Sequence, residues 1–298
     1  VQAAQLRHDQ EQGEHPGAFG TFQVLPVVSP THQAPRDQVD IDQLEGHSFG
    51  PVRLRGCRDK VAEFVDITGD DSDRWIETAP PGWAAAALFA VAPLLLTDES
   101  VRASSVIHGE QRFTWLRPIT VESDLEVLGT VSRVRERGGI WFLTFDLTVT
   151  DSGGDLLTGS SSFLASGTAS PATAPSESPE IGPQEAESGE LVASRTDLIR
   201  YAAATRDWNP IHWDHRSAVV AGLPGIVVHG LLQSAWLLRS VLADSEGPAP
   251  VAAARFRYRA PLLVGRAASA TMDRSGNEVK ATLNSEGIEL VSAAFELR

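Results

Sequence analysis

The sequence predicts an α+β fold made of two related modules, each an antiparallel sheet wrapped round one long apolar helix. Three observations predict it. Two nearly uninterrupted apolar runs, residues 83–96 and 226–242, are each followed by segments that alternate apolar and polar residues in the manner of strands. Two short blocks recur in the same order in both halves. Finally, two stretches poor in large apolar residues set off two bodies, each near the size of a single domain.

The first loose stretch, residues 1–38, is rich in Gln, His, Pro and Gly and is expected to be a poorly ordered lead-in. The second, residues 166–189, repeats Pro, Ser, Ala and Glu and reads as a linker. This leaves an N-terminal module over 39–165 and a C-terminal module over 190–298. In the N-terminal module a helix is expected before Gly69, a buried helix over 83–96, then strands near 107–115, 125–135, 140–150 and 156–164. In the C-terminal module Ser194 and Thr196 are both suitable N-caps, and Leu198, Tyr201, Ala202 and Thr205 share one helical face. Asn209-Pro210 must end that helix. After Gly222, Pro224 and Gly225, the run 226–242 is expected to be buried on most sides, with strands over 254–258, 267–273, 279–284 and 288–295 to follow.

The repeats pair Arg112-Phe-Thr-Trp-Leu-Arg-Pro118 with Arg255-Phe-Arg-Tyr-Arg-Ala-Pro261, and Phe64-Val-Asp-Ile-Thr-Gly-Asp70 with Tyr201-Ala-Ala-Ala-Thr-Arg-Asp207. The offsets are 143 and 137 residues, so duplication with a short indel explains both.

Composition narrows the function. At 298 residues, 42% hydrophobic and 21% charged, the chain is of soluble globular type, and its net charge of -14 argues against a nucleic-acid partner. The single cysteine, Cys57, excludes an internal disulfide and fits a reducing, cytoplasmic setting. No stretch has the length of a membrane span, and the first residues lack the pattern of a secretion signal.

The densest cluster of functional residue types is Tyr201-Ala-Ala-Ala-Thr-Arg-Asp-Trp-Asn-Pro-Ile-His-Trp-Asp214. A turn at Pro210 can bring the Asp207 carboxylate and the His212 imidazole to face one point. A water between them would lose a proton to one group while the other supplies a proton to carbon. Singly, Asp207 and Asn209 read better as turn formers; as an ordered set with His212 they read as a site. His212, Asp214 and His215 can also be read as metal ligands, but no further cluster with ligand-like spacing supports this, and no metal is expected.

Asp207-x-Asn209-Pro210-x-His212, with Tyr201 upstream, resembles the signature of the R-specific enoyl-CoA hydratases (hydratase 2) of the MaoC superfamily. Gly225-Ile-Val-Val-His-Gly-Leu-Leu232 and the Arg255–Pro261 block resemble the same family, in the family's order. The resemblance implies a double hotdog fold and interconversion of a trans-2-enoyl thioester with an (R)-3-hydroxyacyl thioester. It implies that Asp207 and His212 activate water while Asn209 organises the turn. No cofactor is expected beyond the coenzyme A or phosphopantetheine of the acyl-CoA or acyl-carrier-protein substrate, and a homodimer is left open. Gly230 opens the apolar helix, where its N–H is suited to the thioester oxygen, unless it is only a turn glycine. His229 either lines the pocket or is a core histidine.

One position departs from the family. Arg206 stands where a glycine usually precedes the aspartate. Its guanidinium would lower the Asp207 pKa if the two side chains met, or it would reach outward to a substrate phosphate. In the first module Trp75 falls at the position of His212, so one active site per chain is expected. The small residues 84–87 either leave space for an acyl chain or permit close packing. Arg255, Arg257 and Arg259 share a strand face and either hold coenzyme A phosphates or form salt bridges at the surface. A hotdog thioesterase and a non-catalytic acyl-binding subunit are the alternative functions.

Overall fold

A computed structural model describes residues 41–102, 104–167 and 189–298. The expected lead-in, and nearly all of the expected linker, lie outside the described residues. Within them the N-terminal module contributes β1 (Ser48–Arg55), α1 (Arg58–Thr68), α2 (Ala84–Leu96), β2 (Ser105–Trp115), β3 (Asp124–Arg137), β4 (Ile140–Asp151) and β5 (Gly154–Ser166). The C-terminal module contributes α3 (Arg195–Thr205), α4 (His215–Val220), α5 (Gly230–Leu242), β6 (Val251–Tyr258), β7 (Ser269–Ser275), β8 (Glu278–Ser285) and β9 (Ile288–Leu297).

All nine strands form one antiparallel sheet in the order β1-β3-β4-β5-β2-β6-β9-β8-β7. The order is nearly symmetric about the β2–β6 pair. β5 corresponds to β9, β4 to β8 and β3 to β7; where β1 flanks β3, only a bridge from Leu191 to Ala268 stands beside β7. The register places Arg112 directly opposite Arg255, the first residues of the two recurring blocks. The pseudo-twofold axis of the duplication therefore runs through this pair of strands.

The helices form where the sequence supplies ends for them. Ser194 and Asp197 make a capping box at the start of α3. Gly69, at φ 64°, closes α1 in the left-handed conformation. Each module also closes the other's helix: Arg239 of α5 donates to the carbonyls of Thr68 and Gly69 at 3.0 Å, and Arg74 donates to the carbonyl of Leu242 at 2.8 Å. Between α1 and α3, Arg200 bonds both Glu63 and Asp66 at 2.5 Å.

The two modules do not bury separate cores. One continuous apolar cluster takes in α2, α5 and the inner residues of both halves of the sheet. Ala84–Ala87 are at most 1% exposed, and a Cβ on Gly82 would meet the Ala235 Cβ and the Phe64 ring at 3.1 Å. Close packing is therefore what these small residues achieve here.

Arginine opposite arginine at the axis would repel. Glu110 removes the conflict, accepting from Arg112 at 2.8 Å, from Arg255 at 2.6 and 2.7 Å and from Arg257 at 3.1 Å. Partial burial would raise its pKa, but the hydrogen bonds from Arg255, Arg112 and Arg257 outweigh this and hold it at about 2. Glu110→Gln is expected to destabilise the fold by roughly 2 kcal/mol at neutral pH, the scale of charged hydrogen bonds. The folded-state pKa is depressed, so the contribution is full above the unfolded value of 4.5 and disappears as pH falls toward about 2. Denaturant melts of both proteins at pH 7 and at about pH 3 check this; equal separation at the two pH values would contradict it.

Candidate active site

Two segments build the site: the turn after α3 and the entry into α5. α3 ends at Thr205, and Arg206 follows at φ 70°, ψ 13°, with its N–H bonded to the Ala202 carbonyl. This is the left-handed position a glycine occupies most easily, so Arg206 keeps the backbone that the family's glycine would give. Its side chain is exposed.

The chain then turns inward. Asp207 is 4% exposed and His212 7%. Asn209 starts a 3-10 turn over Pro210–His212, its side-chain oxygen accepting from the Ile211 N–H at 3.4 Å. The His212 Nδ1 donates to the carbonyl of Val227 at 2.8 Å, which leaves Nε2 as the free basic nitrogen. His229 donates through Nε2 to the Asp207 main-chain carbonyl at 3.2 Å, and its ring stacks on His212 with centroids 3.8 Å apart at 24°. The ring of His229 also meets Tyr201, with centroids 4.8 Å apart, and Tyr201 meets Phe64 of α1 at 5.8 Å. Tyr201 is fully buried and its hydroxyl has no hydrogen-bond partner among the described residues.

Gly230 is the first residue of α5, where the opening N–H groups have no intrahelical partner. Tyr258 of β6 explains the need for glycine, because a Cβ there would meet its ring at 3.0 Å. The Tyr258 hydroxyl shares a hydrogen bond of 3.0 Å with Ser234 of α5. Neither Tyr258 nor Ser234 was among the residues expected from the sequence. Their signal was present only as strand alternation in β6 and a four-residue helical spacing from Gly230.

Burial sets the protonation states. It raises the Asp207 carboxyl to about 7, against a smaller lowering by the Asn209 N–H, and it lowers His212 to about 4, against the Val227 carbonyl. Both groups therefore prefer to be neutral, one holding a proton and the other lacking it. Of the two readings of Arg206, the outward one matches its exposed side chain, and desolvation sets the Asp207 carboxyl.

The other expected substrate contacts fare differently. Arg255 and Arg257 lie on the face of β6 opposite to Phe256 and Tyr258 and bond Glu110, while Arg259 pairs with Glu289 at 3.4 Å. The salt-bridge reading of this face is the one found, and strand alternation turns it away from Asp207 and His212. Asp214 caps α4 by accepting from the Ser217 N–H at 2.7 Å, which removes it from the suggested metal set. Asp207, His212 and His229 do bring ligand atoms within 4.8 Å of one another. Stacked imidazoles, however, direct their in-plane lone pairs along nearly parallel planes and cannot both aim at one ion. The N-terminal module has no counterpart to the pair: Trp75 is 4% exposed beneath the Arg74 guanidinium, 4.5 Å from its ring centroid.

Residues 176–293 match the family described as MaoC like domain. The C-terminal module is a MaoC-like domain. With its N-terminal partner it makes a double hotdog fold. The chain is 29% identical over 250 residues to the 3-hydroxyacyl-thioester dehydratase X of Mycobacterium tuberculosis, covering 80% of this chain and 81% of that one. It is 36% identical over 74 residues to a mitochondrial 3-hydroxyacyl-[acyl-carrier-protein] dehydratase of Arabidopsis thaliana, 25% of this chain and 44% of that one. The chain thus spans less than half the length of the plant relative. The crystal structure of HtdX of Mycobacterium tuberculosis superposes with a TM-score of 0.68 at 23% identity, covering 85% of this chain and all of the other.

Two outcomes are expected of the MaoC-like turn. Arg206→Gly should stabilise the protein by ~0.5–1 kcal/mol, the left-handed penalty less the entropy glycine adds to the unfolded chain, as a rise in denaturant midpoint. A fall in midpoint would show that the arginine makes contacts worth keeping. Asp207→Asn should also stabilise, in a pH-dependent way. The carboxyl's folded pKa is raised from 3.8 to about 7, so wild type loses stability as pH climbs between these values and the variant does not. The gap should be small at about pH 4 and reach on the order of 4 kcal/mol above about pH 7, read from paired melts.

Proposed function

We propose that this protein is a hydro-lyase that interconverts a trans-2-enoyl thioester and an (R)-3-hydroxyacyl thioester. The observation that carries this reading is the pair Asp207 and His212, buried together on one turn with protonation preferences pushed apart. The dehydratase names of the relatives support it.

In the hydration direction the His212 Nε2 removes a proton from water as its oxygen bonds to C3. The C2–C3 electron pair moves toward the thioester carbonyl, whose oxygen gains negative charge at the Gly230 N–H, a donor of the kind worth ~3 kcal/mol in the transition state. The protonated Asp207 carboxyl delivers a proton to C2. Passage of a proton from His212 to Asp207 restores the starting state, and dehydration follows the reverse path. The opposite assignment, carboxylate with imidazolium, has the same overall proton count but is disfavoured because burial penalises both charges. The substrate's acyl group is carried on coenzyme A or an acyl carrier protein, and the protein adds no cofactor of its own.

The test follows the enoyl absorbance of trans-2-enoyl-CoA substrates of several lengths. Wild type should bleach at least one, with activity in a bell bounded near pH 4 and pH 7 by His212 and Asp207. Asp207→Asn and His212→Ala should each lower kcat by ~100-fold or more. Failure of wild type on every chain length, or full activity in both variants, would sink the assignment. Release of free thiol from a saturated acyl-CoA would favour the thioesterase reading instead.

A further inference from the structure

His229 takes no part in the proton transfers proposed above, yet it is completely buried and touches both residues that do, the Asp207 main chain and the His212 ring. It is the residue just before α5, and its carbonyl accepts from the Gln233 N–H at 3.2 Å, so its backbone is fixed by the helix start. Its ring is flanked by His212 at 3.8 Å and Tyr201 at 4.8 Å. Its Nε2 reaches the Asp207 carbonyl, and its Nδ1 is buried with no hydrogen-bond partner among the described residues. An unsatisfied buried nitrogen costs ~1–3 kcal/mol, and a phenylalanine of similar shape would not incur it. Packing alone does not account for a histidine here.

We propose that His229 is a positioning residue for the reaction assigned above: its Nε2–H fixes the Asp207 main chain while its ring face fixes the His212 imidazole. One rigid side chain then sets the separation of acid and base, leaving the Asp207 carboxyl and the His212 Nε2 free for water and substrate. Behind it, Tyr201 and Phe64 complete a column of rings that rests on the N-terminal module. The ionisable groups facing His229 are Asp207, His212 and Tyr201, with Tyr258 across Gly230. Burial first, then the neighbouring His212, holds its pKa well below the ordinary range, so it remains an uncharged ring beside the base.

Two variants separate the contacts: His229→Phe keeps a ring and loses the donor, and His229→Gln keeps a donor and loses the ring. Each should lower kcat on an enoyl-CoA by roughly 10–100-fold with KM within about threefold, the scale of a small misplacement of reacting groups. His229→Phe should melt no lower than wild type, and the alkaline limb assigned to Asp207 should move in both. Wild-type kcat and an unshifted pH profile in either folded variant would overturn the proposal. The wild-type protein supplies a test independent of turnover. Nitrogen-15 spectra of histidine-labelled protein should show the Nε2–H tautomer for His229 and the Nδ1–H tautomer for His212. A proton on the His229 Nδ1 would refute the positioning geometry. Should wild type hydrate no enoyl-CoA, the hydratase reading falls, while the tautomers still decide whether His229 holds the turn.

Discussion

The antiparallel pairing of β2 with β6 is the contact on which the rest of the molecule depends. It turns two half-sheets into one of nine strands and sets the axis about which the duplicated halves are arranged. The pairing brings equivalent arginines face to face, so it requires a counter-charge, and Glu110 provides it to three arginines at once. With the strands in register, α1 lies beside α3, and each module supplies the arginine that closes the other's helix. The C-terminal end of one helix in each half, α1 and α5, is closed by the other half, and the core is continuous although the sequence reads as two domains.

Duplication followed by loss on one side explains the asymmetry of the chemistry. Phe64 and Tyr201 occupy equivalent places in the recurring block and touch across the axis. In the C-terminal half the turn after Tyr201 carries an imidazole; in the N-terminal half Trp75 fills the corresponding place. The N-terminal module has thereby become a wall. Its Phe64 backs Tyr201, which backs His229, which backs His212, so the His212 ring is braced by packing that starts in the other module.

Much of this was legible in the sequence, because it is written locally. Alternation located eight of the nine strands, apolar runs located α2 and α5, and the Asp207-to-His212 spacing located the turn. β1 escaped because its residues are mostly exposed and it contains Gly50-Pro51, which breaks alternation; α4 escaped because six residues carry too little periodicity. The site's electrostatics were not legible. Whether Asp207 is raised or depressed depends on what surrounds it, and its surroundings come from α5 and β6, far along the chain. For the same reason the sequence left Arg255 and Arg257 open between phosphate ligands and surface salt bridges, since only the fold brings Glu110 to them. The stack of His229 on His212 joins two residues 17 positions apart with no pattern between them.

A single physical cause gives Asp207 and His212 opposite protonation preferences. Desolvation penalises charge of either sign, so it drives a carboxyl to keep its proton and an imidazole to give one up. Two groups that would both be mostly charged at mildly acidic pH in water thus become a neutral acid beside a neutral base. That arrangement tolerates no nearby fixed charge, since a guanidinium within reach would return Asp207 to its carboxylate form. Arg206 is adjacent in sequence and still harmless, because the left-handed turn sends its side chain to solvent while Asp207 goes inward. The conformation that makes glycine the natural residue there is the same one that lets an arginine replace it without disturbing the acid.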